Sequence, residues 1–384
     1  MGRINSIVIG GDIVPTESNL DFFINGDIEK IIGKDLYNYL SDNCFLICNL
    51  ETPLSDSLSP IKKIGPTFAT PTNAINGLKS LGVNLISLAN NHIKDQGEKG
   101  IVNTCSSLED NGIAFLGVGS SYFEASKPYF FHYNEMTIGV FSCVEHEFST
   151  ANDAYSYGAN TFDPLFSLDE IKRMKDNCDY AIVLYHGGKE YYRYPSPGLQ
   201  RTCRRIVDKG ADLVVCQHSH CIGCKEEYKS GCIIYGQGNF IFNKKNDEFW
   251  NSSLLVCLDS ALKVNFIPII RTETGTRRAN ATESAEIMKG FEIRSYEIQN
   301  PGFIENSYKR FAEQYFYKYI MIISGRKPRV ITVLNKLTKG MVGKIVMKLY
   351  YPQKQKLFLK NYIECESHRE LIITAITNAI EQNK

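Results

Sequence analysis

Five short runs rich in Val and Ile punctuate the first 245 residues, and helix-like patterns separate them. They are SIVIGGD (6–12), CFLICNLE (44–51), VNLISLANNH (83–92), DYAIVLYHGG (179–188) and DLVVCQHSH (212–220). Each is nearly continuous in apolar residues, as expected for strands covered on both faces. Between them, GEKGIVNTCSSLEDNG aligns Ile101, Cys105 and Leu108 on one stripe and stops at Gly112. PGLQRTCRRIVDKG aligns Leu199, Cys203, Ile206 and Val207 and closes at Gly210. SLDEIKRMKDN carries Leu168, Ile171 and Met174 behind a Ser167–Glu170 capping-box pattern. Strands alternating with helices predict an α/β fold. Residues 127–145 read as a hairpin turning at Asn134–Glu135, so a mixed sheet is expected.

All five runs end, on their C-terminal side, in groups that bind metals or move protons. Asp12 follows VIGG, Glu51 follows LICNL, Asn91 and His92 follow SLAN, His186 follows VLY, and His218 and His220 follow VVCQ. A single such residue is ordinarily turn or hydrogen-bond structure. Five on successive strands, with four of the seven histidines among them, point to one shared polar site. Open α/β sheets place ligands at the carboxyl ends of their strands. Carboxylates, an amide and imidazoles suit a borderline divalent ion such as manganese, iron or zinc. Two ions roughly 3.5–4 Å apart need a bridging carboxylate and several terminal ligands. Asp12, Glu51, Asn91, His186, His218 and His220 satisfy that count. His92, beside Asn91, is then placed to act as general acid.

The chain has 384 residues, a net charge of +1, 43% hydrophobic and 22% charged residues. These are globular values and carry no specific nucleic-acid signal. Its twelve cysteines sit mostly in apolar runs, and no secretory signal precedes SIVIGGD, so reduced thiols and a cytoplasmic location are expected. No apolar run reaches the ~18 residues a membrane span needs. GVGSS (117–121) lacks the glycine spacing of a nucleotide cradle.

GGDIVP (10–15), NLETPL (49–54), LANNHIKDQG (88–97), YHGGKEYYRYPSPGLQ (185–200), VVCQHSH (214–220) and IIYGQGNFIF (233–242) appear in the order found in the poly-γ-glutamate capsule synthesis (CapA-like) family. That family resembles the calcineurin-like metallophosphoesterases, which implies two packed mixed sheets flanked by helices over about residues 5–245. The resemblance implies that Asp12, Asn91, His186, His218 and His220 are metal ligands and that Glu51 bridges. It makes His92 the acid and draws in Asp95 and Glu190. Asp95 would orient His92 and Glu190 would contact substrate, unless both are loop hydrogen-bonders. Val14 stands where the superfamily usually has a histidine, so one of the two ions is expected to lack a ligand. Ser219 replaces the more usual proline but keeps the His-x-His spacing. Asn239 and Phe240 are expected to be structural.

The implied activity is a divalent-metal-dependent phosphoester hydrolase of the capsule, poly-γ-glutamate or surface-polysaccharide type, acting on a phosphoester or an anionic polymer. A γ-glutamyl amide hydrolase using the same site, or a non-catalytic assembly protein, are the alternatives. Cys216, Cys221 and Cys224, with Cys232 as a fourth ligand, also fit iron–sulfur spacing. The expected organisation is a CapA-like domain over 1–270, a polar linker or loop over 271–300, and a basic helical region over 301–384. From Lys309 to Lys360 thirteen Lys or Arg face one acid, Glu313, a net +12. Such a stretch is either a solvated helical face or a peripheral contact with an anionic membrane surface or acidic polymer.

Overall fold

The computed structural model describes residues 5–41, 44–149, 157–243, 247–323, 333–335, 337, 338 and 340–381. It divides into two compact units, Met1–Glu305 and Asn306–Lys384.

Two mixed sheets form the first unit. One contains β1 (Ser6–Val14), β2 (Cys44–Leu50), β3 (Val83–Ser87), β4 (Ala114–Leu116), β13 (Asn239–Phe242), β14 (Ser252–Leu258), β15 (Val264–Arg271) and β16 (Thr276–Arg278). Its order is β16-β15-β14-β1-β2-β3-β4, with β13 also pairing to β1. The other contains β6 (Tyr129–Tyr133), β7 (Met136–Val144), β9 (Tyr180–His186), β10 (Leu213–Gln217), β11 (Lys225–Tyr228) and β12 (Gly231–Tyr235), in the order β11-β12-β10-β9-β7-β6. A short pair, β5 (Val118–Gly119) and β8 (Gly158–Ala159), lies apart. The 127–145 hairpin is β6–β7, turning at Asn134 with φ 54°.

Strand alternation sorts the side chains into layers. Ile7, Ile9, Ile47 and Leu85 of one sheet meet Val140, Ile182, Leu184, Val215 and Ile234 of the other in the core between the sheets. Val8, Leu46, Cys48 and Ile86 point the opposite way, toward α1 (Leu20–Asn25), α2 (Ile28–Ile32), α3 (Lys34–Ser41), α4 (Ile75–Leu81) and α5 (Gly97–Asp110). On the far side, Phe141, Val183 and Val214 pack with α7 (Ser167–Lys175) and α8 (Pro197–Asp208), while α6 (Tyr122–Ala125) lies against β5. Two-faced burial is why these strands read as unbroken apolar runs. The architecture is therefore the pair of packed mixed sheets flanked by helices that the resemblance implied.

Two local expectations differ. Helix α7 has Phe166 at its N-cap and no side-chain cap; the Ser167 hydroxyl instead accepts from Asp163 N at 3.0 Å. Residues 271–300, read as linker, hold β16 and α9 (Ala281–Glu297). Helix α9 opens on an Asn280–Glu283 capping box, a signal present in ANATES. Its Phe291 enters the core between the sheets against Phe266 of β15, and its Ser295 hydroxyl accepts from Lys225 N of β11. The helix thus closes one edge of both sheets, and the compact unit runs to Glu305 rather than 270. Within the region read as basic and helical over 301–384 lie α10 (Phe303–Ile323) and a helix over Glu366–Glu381.

What positions the site is a break in β1. Its register shifts between Ile9 and Asp12 against β2 and between Asp12 and Ile13 against β13. The Ile9 and Gly10 carbonyls accept from the side-chain amides of Gln237 and Gln217 at 3.1 Å each, so the irregular backbone stays satisfied. Gly11 lets β13 approach: a Cβ there would lie 2.1 Å from the Gly238 carbonyl oxygen. We expect Gly11→Ala to cost about 1–3 kcal/mol of stability as overpacked backbone. Denaturant unfolding would read this, and an unchanged midpoint would contradict the close approach.

Candidate metal centre

Asp12 lies inside β1, at its break, rather than past its end; Glu51 is one residue beyond β2, and His186 is the last residue of β9. Asn91 and His92 occupy the loop after β3, and His218 follows β10 directly. All are buried, between 0% and 8% exposed. His218 and His220 have φ of 85° and 54°, a backbone conformation that costs a non-glycine residue about 1–3 kcal/mol and collects at functional sites.

The side chains converge as two overlapping triads. One donor atom each from Glu51, His186 and His218 lie within 4.8 Å of one another, and the same holds for Asp12, Glu51 and His220. Glu51 belongs to both. His186 Nε2 is 3.3 Å from Glu51 Oε1 and 3.1 Å from Asn91 Oδ1, which brings Asn91 to the first triad. His186 Nδ1 is 3.9 Å from Asp12 Oδ1, and His220 Nδ1 is 3.7 Å from Asp12 Oδ2.

Several polar atoms are left wanting. Among the described residues, Asp12 Oδ2, both Glu51 oxygens and His218 Nδ1 are buried without a hydrogen-bond partner. Carboxylates taken out of water without donors are costly, and a cation removes the cost. Burial, then Glu51, pushes the Asp12 carboxyl up to about 6. Burial raises Glu51 too, but His186, His220 and His92 hold it well below the usual carboxylate range. His186 is raised because Glu51 and Asp12 outweigh its burial. Burial, with His186 and His220 beside it, drives His218 far below the ordinary imidazole value, so it presents a neutral ring. The donor set therefore fits a divalent ion in either triad.

Residues the sequence did not single out hold this set in place. Asn49 donates to Asp12 Oδ1 at 2.7 Å and lies 3.3 Å from His186 Nδ1. Asn90 donates to Asn49 Oδ1 and the Leu50 carbonyl at 3.1 and 2.8 Å, and its Oδ1 accepts from His92 N at 3.1 Å. Both lie inside the quoted motifs, yet no spacing rule separates a ligand asparagine from its supporter. Asn239 reaches His220, with Oδ1 2.9 Å from Nδ1, and Phe240 is fully buried.

His92 faces a second network. Its Nδ1 is 2.7 Å from Asp95 Oδ2, and Asp95 also accepts from Phe68 N at 2.7 Å and from Lys63 Nζ at 2.5 Å. Lys63, 3% exposed at its side chain, donates as well to the Asn91 carbonyl at 3.2 Å. Nothing in SPIKKIGPTF marks that buried lysine. Phe68 stacks on the His92 ring at 4.2 Å. Both line a cleft of about 630 Å³ together with Asn91, Glu190 and His220, so Glu190 stands at the cleft but belongs to neither triad.

The iron–sulfur spacing is not realised. Cys216 and Cys224 face the helix-side core and Cys232 the core between the sheets, so one sheet separates them. Neither cation-competent group among the described residues includes a cysteine, and all twelve cysteines are free.

Fold and site together define an α/β protein built around a candidate divalent-metal centre. The sequence pattern of the family described as bacterial capsule synthesis protein PGA_cap matches residues 6–244, and the chain belongs to that family. It is 26% identical over 214 residues to the capsule biosynthesis protein CapA of Bacillus anthracis, covering 54% of this chain and 52% of that protein. It is also 26% identical over 181 residues to the PGA biosynthesis protein CapA of Bacillus subtilis (strain 168), covering 46% and 47%. The chain thus spans about half the length of the curated relatives it matches. A solved structure described as a novel phosphatase from Mycoplasma pneumoniae is 13% identical, with a TM-score of 0.43 over 76% of this chain and 99% of that one. A likeness at that level carries no argument about activity.

Cation binding requires Asp12 and His186 to give up their protons. With Asp12 at about 6, affinity for Mn²⁺ or Zn²⁺ should rise with pH through that value. Going from about pH 7.5 to about pH 5 is expected to weaken it roughly tenfold or more. At a hundred-fold excess over Kd the ion should stabilise the fold by about 2.7 kcal/mol. Thermal shift at the two pH values would show this, and Glu51→Gln, which strips both triads, should abolish it.

Proposed function

We propose that the chain is a divalent-metal-dependent phosphoester hydrolase working in capsule or surface-polymer synthesis. The observation that carries this reading is the pair of buried triads sharing Glu51, with their unpartnered carboxylate oxygens. Asp12, Glu51, Asn91, His186, His218 and His220 would hold one or two ions. The second triad has three protein ligands and Val14 contributes none, so it would bind the weaker ion. When bound, a divalent ion would polarise the phosphoryl oxygens and activate water for attack on phosphorus.

The chain's own residues do the rest. Asp95, itself held by Lys63 and Phe68 N, accepts from His92 Nδ1 and sets the ring so that Nε2 is the nitrogen left to pass a proton. As the bond from phosphorus to the leaving oxygen breaks, His92 Nε2–H would protonate that oxygen, releasing an alcohol. His92→Ala is therefore expected to bind metal like the unmutated protein and to lose about 10²–10⁴-fold in kcat, the usual worth of a general acid. Asp95→Asn should lose part of that. Elemental analysis with a panel of phosphomonoesters, phosphodiesters and γ-glutamyl amides checks both. Unchanged phosphoester turnover in His92→Ala would overturn the assignment, and turnover of the amides alone would transfer the site to that bond.

The second unit offers a separate contact. Among the described residues no helix is long and apolar enough to cross a membrane. In the helix Met341–Tyr350, Met341, Ile345 and Leu349 recur every four residues and are 64%, 55% and 71% exposed. Apolar side chains along one face within a +12 segment are what an anionic lipid surface attracts. We expect the full chain to sediment with phosphatidylserine-containing vesicles, less so as salt rises, and Ile345→Asp with Leu349→Asp to abolish this. Equal sedimentation with neutral vesicles would refute it. The basic stretch at 324–332 lies outside the described residues.

A further inference from the structure

The cleft beside His92 is apolar inside and apolar at its mouth. Within it, Phe242 meets Phe68 edge-on at 5.8 Å, and Trp250 packs on Phe242 at 4.6 Å and on His220 at 4.7 Å. Tyr191 adds a ring 6.1 Å from His220. Two more lining residues stand out in solvent: Ile64 is 87% exposed and Phe148 is 51% exposed. One exposed apolar side chain is ordinary, but a pair on the rim of an aromatic cleft carries its apolar surface outward. Ile64 is also held there. Asp95 accepts from Lys63 Nζ at 2.5 Å through one oxygen and from Phe68 N at 2.7 Å through the other. The chain between those anchors bows out over the cleft, with Gly65 at φ 99°. Keeping Ile64 in water forgoes the gain of burying it, which hydrocarbon laid on the rim would restore.

The charged groups of the lining do not choose among phosphoesters. Lys63 is committed to Asp95 and the Asn91 carbonyl. Glu147 and Glu190, which also line the cleft, act on a phosphate alike whatever alcohol it carries. The phosphate is met where Asn91 and His220, two proposed metal ligands, reach the cleft. Discrimination therefore falls to the alcohol, and the surface offered to it is apolar. Its starting point is fixed as well. The proposed acid must face the leaving oxygen, and Phe68 stacks on the His92 ring at 4.2 Å, so the departing group begins on Phe68 and runs toward the mouth.

We infer that the cleft takes the phosphoester of a long-chain, hydrophobic alcohol, with the phosphate toward Asn91 and His220 and the hydrocarbon over Phe68, Phe242 and Tyr191 to Ile64 and Phe148 at the rim. This rests on the phosphoester reading above and narrows it to one class of leaving group. For a monoester, water adds to phosphorus and the bond from phosphorus to the chain oxygen breaks. That oxygen takes the His92 proton, which the proton lost by the water replaces. The products are inorganic phosphate and the free long-chain alcohol.

Trp250 is the chain's one tryptophan and lines the cleft, so its emission follows occupancy with or without turnover. The full-length, Mn²⁺-loaded protein would be titrated with ethyl, butyl, hexyl and octyl phosphate and with glucose 1-phosphate. Each added methylene is expected to tighten binding about two- to fourfold, the upper figure corresponding to full burial. Hexyl phosphate should thus bind about twentyfold or more tighter than ethyl phosphate. Ile64→Ser combined with Phe148→Ser, both at exposed positions, should bring hexyl and octyl phosphate close together. An affinity that ignores chain length overturns the inference, as does tighter binding of glucose 1-phosphate than of hexyl phosphate. A length dependence that the double variant keeps in full also overturns it, since the hydrocarbon would then lie elsewhere. Tightening with length but no phosphate release at any length would defeat the hydrolase reading and leave the hydrocarbon assignment standing.

Discussion

The site depends on a single electrostatic requirement. Glu51 is fully buried, none of its oxygens receives a hydrogen bond among the described residues, and Asp12 lies beside it under the same burial. Burial and then Glu51 raise the proton affinity of Asp12, while His186, His220 and His92 hold the Glu51 carboxyl low. A cation between the triads, as proposed, would supply the partner that these oxygens lack. Asn49, Asn90, Asn239 and the break in β1 all serve to hold oxygens and ring nitrogens where that charge would sit. The core on either side has no such demand, because its strands are apolar on both faces.

Much of this was legible in the sequence, for a physical reason. A parallel strand buried on both faces must be continuously apolar, so the residue at which it becomes polar marks its carboxyl end, where such folds gather ligands. That logic finds Glu51, Asn91, His92, His186, His218 and His220, and the structure brings them together. It places Asp12 slightly wrongly, because a strand that bends through a register shift does not announce the bend by changing composition. Asp95 enters through the family resemblance, and the structure supplies its contact with His92.

The rest was hidden because it depends on packing across the chain. Lys63 reads as an ordinary surface lysine until Asp95 is seen beside it, thirty-two positions away. The aromatic residues around the cleft, Phe68, Tyr191, Phe242 and Trp250, come from two loops, one strand end and a short 3₁₀ helix, and no periodicity links them. Helix α9 was missed although its capping box is written in ANATES, since polar composition around it suggested linker; one apolar contact, Phe291 against Phe266, gives the helix its place.

The family pattern stops at residue 244, but the folded body does not. Strand β14 begins at Ser252 and runs antiparallel to β1 along Ile7, Val8 and Ile9, just upstream of the bend that carries Asp12. A fragment cut where the recognisable motifs end would keep every proposed ligand yet leave the flank of its first strand bare, with Leu254 and Val256 gone from the interior. The shared pattern thus marks out the proposed site, while the flank that supports its first strand comes from sequence downstream of it.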